Sequence, residues 1–262
     1  MTSSQAPAPL SPGWCIAPPL VFALSAAGVM VSDANTPAFI AINHWTRALP
    51  DALWATITDT ASVLSVGALL ALCLSRAPHA VVATVMAWPA GIVVIRGLKA
   101  LIDAPRPQEL LPADALHQIG VTLSGYSFPS GHTATAFTVI AALMLSTPAC
   151  RRALPALALL AFGALVALSR IAVGAHWPGD VLAGAAAGWL CAVVGVLLTQ
   201  RWPLWQSRRA MLVLSVAGIA VCLARVFFAT GYPQAQLWST MLGLAGLVAA
   251  GMALKHTMAS AA

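Results

Sequence analysis

Lys99 and Arg106 in KALIDAPRP (99–107), Ser130, Gly131 and His132 in PSGH (129–132), and Arg170, His176 and Asp180 in SRIAVGAHWPGD (169–180) have the types and spacing that phosphate chemistry requires. Two guanidinium forks can each hold two phosphate oxygens, and a lysine adds a point charge. Two histidines can serve as nucleophile and proton donor. Ser130 is placed to cap a helix that carries His132 in its first turn. The free N–H groups and partial positive charge of such a helix start favour an anion there. Asp180 follows His176 by four residues, near enough for its carboxylate to accept the ring Nδ1–H and leave Nε2 free to attack phosphorus. Pro178 suits the first position of the helix that begins between them.

These groups stand in a chain with very little other charge. Of its 262 residues 60% are hydrophobic and only 8% charged, far below the ~25% of a soluble domain. Most of the surface must therefore face lipid. Apolar runs long enough to cross a bilayer as helices fall at about 15–32, 53–75, 80–102, 131–147, 153–171, 179–199, 210–229 and 237–254. The expected fold is accordingly all-α: a polytopic membrane helix bundle of about eight spans, with six as a conceivable core. It forms a single membrane domain over residues 1–262, with the motif core at about 96–199 in the third to sixth spans.

Loop charge orients the bundle. One side holds Arg76, Arg151, Arg152, Arg201, Arg208, Arg209 and Lys255, whereas the acidic residues fall on or near the other. The Lys/Arg bias marks the first side as cytoplasmic. Both termini are then expected inside and all three motifs at the outer face. The N-terminal stretch has no Lys or Arg before its apolar run, so the first segment reads as a retained span rather than a secretory signal. The net charge of +6 is scattered rather than gathered into a stripe, which argues against nucleic-acid binding. Five cysteines without metal-ligand spacing read as small buried hydrophobes.

The three stretches resemble the motifs K-x6-RP, PSGH and SR-x5-H-x3-D of the type 2 phosphatidic acid phosphatase superfamily, each without a substitution and in order. The resemblance extends over roughly residues 99–180. It implies an integral membrane lipid phosphatase in which His176 takes the phosphoryl group as a phosphohistidine and Asp180 orients it. His132 would protonate the leaving oxygen and later activate water. Lys99, Arg106, Ser130, Gly131 and Arg170 would hold the phosphoryl oxygens. Neither metal nor other cofactor is implied, and the chain offers no acidic cluster to bind a metal.

The substrate class is then a lipid phosphate or diphosphate in the outer leaflet of a bacterial inner membrane. Undecaprenyl diphosphate, phosphatidylglycerophosphate, phosphatidate and lipid A are all open. Two other functional classes share the scaffold: a phosphotransferase passing the phosphoryl group to a lipid acceptor, and a non-catalytic lipid-binding or transport protein. Oligomeric state has no signature in the chain.

Outside the motifs, Arg96 has two readings: a structural ion pair with Asp59, or an extension of the site toward a second phosphate. His117, in the long outer connection of about 103–128, is read as either a substrate contact or a plain surface histidine. That connection could act as a lid or merely link two spans, and its PQELLPADALHQIG stretch could form a short surface helix. Arg225 is expected to snorkel from the outer end of the seventh span.

Overall fold

The computed structural model describes residues 10–228 and 231–259, and among these the regular structure is helical without strands. The helices are α1 (Pro12–Val31), α2 (Asn35–Thr46), α3 (Asp51–Asp59), α4 (Val63–Cys73), α5 (Pro78–Ile102), α6 (Pro107–Leu110), α7 (Gly131–Ser146), α8 (Ala153–Ala172), α9 (Pro178–Arg201), α10 (Arg208–Phe227) and α11 (Gln236–Ala259).

Each expected span falls on helix, but six helices rather than eight are long and apolar enough to cross a membrane by themselves: α1, α5, α8, α9, α10 and α11, the α5 segment continuing to Leu110. The second expected span is a pair, α3 and α4, bent by 64°. A hydropathy window does not register such a bend. Its local cause is visible in Ser62, which ends the break with extended backbone and caps α4 by accepting from the Ser65 N–H. The fourth expected span, α7, has only 16 residues. At 1.5 Å per residue it is about 24 Å long, short for a bilayer crossing. Protein covers much of it: Phe137, Ile140, Met144 and Leu145 form the main core with Trp189 and Val196 of α9.

The α7–α9 crossing determines where the site lies. A Cβ on Gly188 would stand 2.1 Å from the Ala134 carbonyl oxygen, so only glycine lets the two backbones approach this closely. The backbone N–H of Ser130 also donates to the Asp180 carbonyl at 3.0 Å, which pins the start of α7 to the start of α9. In α2, Asn43 donates to the carbonyls of Ile171, Ala172 and His117 while its Oδ1 accepts from the His117 N–H. One buried amide therefore joins α2, the end of α8 and the outer connection.

The last two helices pack on the bent pair around a buried ion pair. Arg225 of α10 donates to Asp59 of α3 and, at 2.9 Å, to Ser65 Oγ, and Ser239 of α11 donates to the same Asp59 oxygen at 2.9 Å. Arg225 does not snorkel; it is fully buried. A buried cation needs a carboxylate partner, and Asp59 is committed to Arg225. The expected Arg96–Asp59 pair is accordingly not formed.

Candidate active site

Four helix ends deliver the motif residues to one place. Lys99 lies in the last turn of α5, which Asp103 stops in a left-handed conformation (φ 41°). The chain then turns through Ala104–Pro105 to Arg106. Ser130 caps α7, its hydroxyl oxygen accepting from the Thr133 N–H at 3.4 Å and from Thr133 Oγ1 at 3.0 Å. Gly131 and His132 follow in the first turn, and the space where a Gly131 side chain would project is open. Arg170 ends α8, and a turn at Gly174 (φ 77°) brings His176 to the start of α9. A Cβ at Gly174 would stand 2.9 Å from the His117 carbonyl oxygen, so the turn is closed over by the outer connection.

The cations donate to neutral acceptors, and among the described residues none of the three forms an ion pair. Arg106 donates from Nε to the Gly125 carbonyl (2.9 Å) and from Nη1 to the Ala175 carbonyl (2.8 Å). Lys99 Nζ donates to the Tyr126 carbonyl. Arg170 is 1% exposed and donates from Nη1 to Thr58 Oγ1 (2.5 Å) and the Tyr232 hydroxyl (2.8 Å). Its Nε is buried without a hydrogen-bond acceptor. Buried N–H groups on cations are costly when unmatched, and an anion is the partner that would satisfy them.

His176 is buried beside these charges, with Nδ1 3.5 Å from Asp180 Oδ2. That spacing is longer than a hydrogen bond. The same carboxylate oxygen accepts from Ser127 Oγ at 2.5 Å and from the Trp177 N–H at 3.0 Å, which fixes it at the head of α9. Burial holds the His176 imidazole well below its usual range, and the positive charges of Arg170, Arg106 and Lys99 act in the same direction. The ring is thus neutral at pH 7, the form in which a nitrogen lone pair can attack. His132 is within electrostatic reach of His176 and of all three cations.

Beside His132 a cavity of about 410 Å³ runs between α4, α5, α7 and α9, lined by Trp88, Ile92, Ile95 and Gly131, with Arg96 on its wall. Arg96 therefore faces the space next to the site and not an acidic partner. His117 is directed elsewhere: its Nε2 is 2.8 Å from Asp51 at the start of α3.

Residues 68–204, more than half of the chain, match the family model described as the PAP2 superfamily. The chain belongs to the PAP2 superfamily. Among curated proteins this PAP2 chain is 33% identical over 126 residues to the lipid A 1-phosphatases of Rhizobium etli and Rhizobium johnstonii, a match over 41% of its own length. It spans about half the length of these relatives, 50% and 47%. Among solved structures it resembles LpxE of Aquifex aeolicus, with a TM-score of 0.54 and 27% identity over 63% of this chain and 95% of that one. A PAP2-type phosphatidylglycerolphosphate phosphatase from Bacillus subtilis has the same fold, with a TM-score of 0.52 and 20% identity over 72% of this chain and 98% of that one. With its apolar helices, this makes the PAP2 chain an integral membrane protein.

Besides Tyr232, Ser127 and Thr58 contribute to the PAP2 site from outside the three motifs. Ser127 is fully buried and donates to Asp180, 53 residues away. Thr58 reaches Arg170 across 112 residues. No local spacing announces either; only the proximity of Ser127 to PSGH hints at the first.

Proposed function

We propose that this protein hydrolyses a lipid phosphate or diphosphate at the outer, periplasmic face of a bacterial inner membrane, with both termini cytoplasmic. The observation that carries the reading is the neutral, buried His176 with Asp180 beside it, facing three cations whose hydrogen bonds go to neutral oxygens.

In the proposed reaction Lys99, Arg106 and Arg170 hold the phosphoryl oxygens together with Ser130 and Gly131 at the start of α7. His176 Nε2 attacks phosphorus and the bond to the lipid oxygen breaks, His132 giving that oxygen a proton that it takes up as the anionic substrate binds among the cations. The imidazolium character of the phosphohistidine is stabilised by Asp180, which tightens from its 3.5 Å spacing as the ring gains charge. His132, now neutral, takes a proton from water, and the hydroxide cleaves the P–N bond to release phosphate. The cations offset the charge on the equatorial oxygens in both steps.

The apolar cavity beside His132 suits the lipid portion, and Arg96 on its wall suits a second anionic group of the same substrate. Identity to proteins named lipid A 1-phosphatase supports placing a lipid A phosphate first among substrates. Phosphate release would be measured for the purified protein in detergent with a lipid A phosphate, undecaprenyl diphosphate, phosphatidylglycerophosphate and phosphatidate. Release from one of them that is absent in His176→Ala supports the reading. If no lipid releases phosphate to water, but one passes it to an added lipid acceptor, the protein is a phosphotransferase.

A further inference from the structure

The family match ends at residue 204, yet one of the two acceptors that orient Arg170 comes from beyond it. Tyr232 lies between α10 and α11. It shares one buried cluster with Val173 and Ala175, in the turn that leads to His176, and with Trp54 and Ile119. Its hydroxyl accepts from Arg170 Nη1, the same nitrogen that donates to Thr58 Oγ1.

This division of the guanidinium has a chemical consequence. Two hydroxyls occupy Nη1 on one side of the plane's outer end, which leaves the Nε–Nη2 edge. Nε is buried without an acceptor, and Nη2 makes no hydrogen bond among the described residues. That edge is the two-pronged one that fits two oxygens of a phosphoryl group. Thr58 and Tyr232 both hold the fork at Nη1, and neither carries a charge that would compete with the ligand.

The bases of both hydroxyls are themselves joined. Thr58 is followed by Asp59, and Asp59 is gripped by Arg225 of α10 and Ser239 of α11. The α10–α11 hairpin is thereby fastened to the bend that bears Thr58 while it presents Tyr232 from its own connection. The Val121 N–H donates to the Gly231 carbonyl at 3.3 Å, which ties the same connection to the outer loop.

We propose that Tyr232 is a positioning residue for phosphate recognition, and that the α10–α11 hairpin completes the PAP2 site by setting, with Thr58, the orientation of the Arg170 fork. The inference rests on the reading of Arg170 as a phosphate ligand.

The test measures orthovanadate binding by calorimetry with the full-length protein in detergent, so that it does not depend on the lipid substrate. Tyr232→Phe removes one hydroxyl from a packed ring, and thermal denaturation monitors the fold. Binding should weaken about tenfold to a hundredfold, the order expected for a lost hydrogen bond to a charged group. Thr58→Val should weaken it comparably, and Thr58→Ser should restore it. In an Arg170→Lys background, which has no fork to orient, Tyr232→Phe should change affinity less than twofold.

Wild-type binding that Tyr232→Phe and Thr58→Val leave unchanged overturns the inference and leaves the phosphate site standing. Equal losses from Tyr232→Phe in the wild-type and Arg170→Lys backgrounds also overturn it, since the hydroxyl would then act by another route. No orthovanadate binding by the wild type overturns both this inference and the phosphate-site reading.

Discussion

At Asp180 a single carboxylate oxygen serves two donors and a neighbouring imidazole. Ser127 and the Trp177 N–H fix it, and His176 waits 3.5 Å away. Charge-assisted hydrogen bonds of this kind contribute roughly 1.5–3 kcal/mol each. Ser127→Ala should therefore lower kcat about tenfold to a hundredfold with little change in KM, because the carboxylate loses its aim and not its charge. Steady-state kinetics decide it; a rise in KM alone would make Ser127 a binding residue. Asp180→Asn should preserve substrate binding and lower the chemical rate far more.

His176 makes a second prediction at this scale. Because burial and the neighbouring cations depress its pKa, the unfolded chain binds a proton that the folded protein refuses as pH falls below about 6.5. The ring should stay neutral in the ligand-free protein at pH 6, read from the nitrogen shifts of labelled histidine against His176→Gln. A His176 signal titrating at or above 6.5 would contradict the electrostatic description. Much of this site is legible in the chain, since helix caps and i,i+4 pairs are local. Ser127, Thr58 and Tyr232 are not legible, because each meets its partner only after the helices have packed.

Among the elements, α7 and α9 show what hydropathy reads and what it omits. Both are found as apolar runs, but α7 is a short helix enclosed largely by protein, and the closeness of its crossing depends on Gly188. Gly188→Val should cost about 1–3 kcal/mol through overpacking and backbone shift, seen as a lower Tm in detergent. An unchanged Tm would mean that the crossing has slack. The 64° break between α3 and α4 is invisible to a sliding window. So is α2, whose sequence NTPAFIAINHWT mixes apolar and polar residues and places Asn43 where three carbonyls converge.

On the scale of the whole molecule, the family-matched region is bracketed by groups from outside it. Asp59 precedes the match, Arg225 and Ser239 follow it, and together they close a buried cluster. Their sequence separations, 166 and 180 residues, explain why Arg225 reads as a snorkelling residue and Asp59 as a partner for Arg96 until the fold is known. Arg225→Met strands a buried carboxylate and should cost about 3–5 kcal/mol, while adding Asp59→Leu should recover most of it. Chemical or thermal unfolding of the two variants would test this. Equal stability of the single and double variants would show that the pair does not hold the hairpin.

Under the proposed function, lipid enters the cavity beside His132 from the membrane and its phosphate meets His176. The most direct test is to mix the purified protein with a ³²P-labelled lipid phosphate and quench within milliseconds. Acid-labile, alkali-stable label should appear on the protein at His176, absent in His176→Ala and retained longer in His132→Ala. Turnover without any such label, or label persisting in His176→Ala, would rule out the phosphohistidine route.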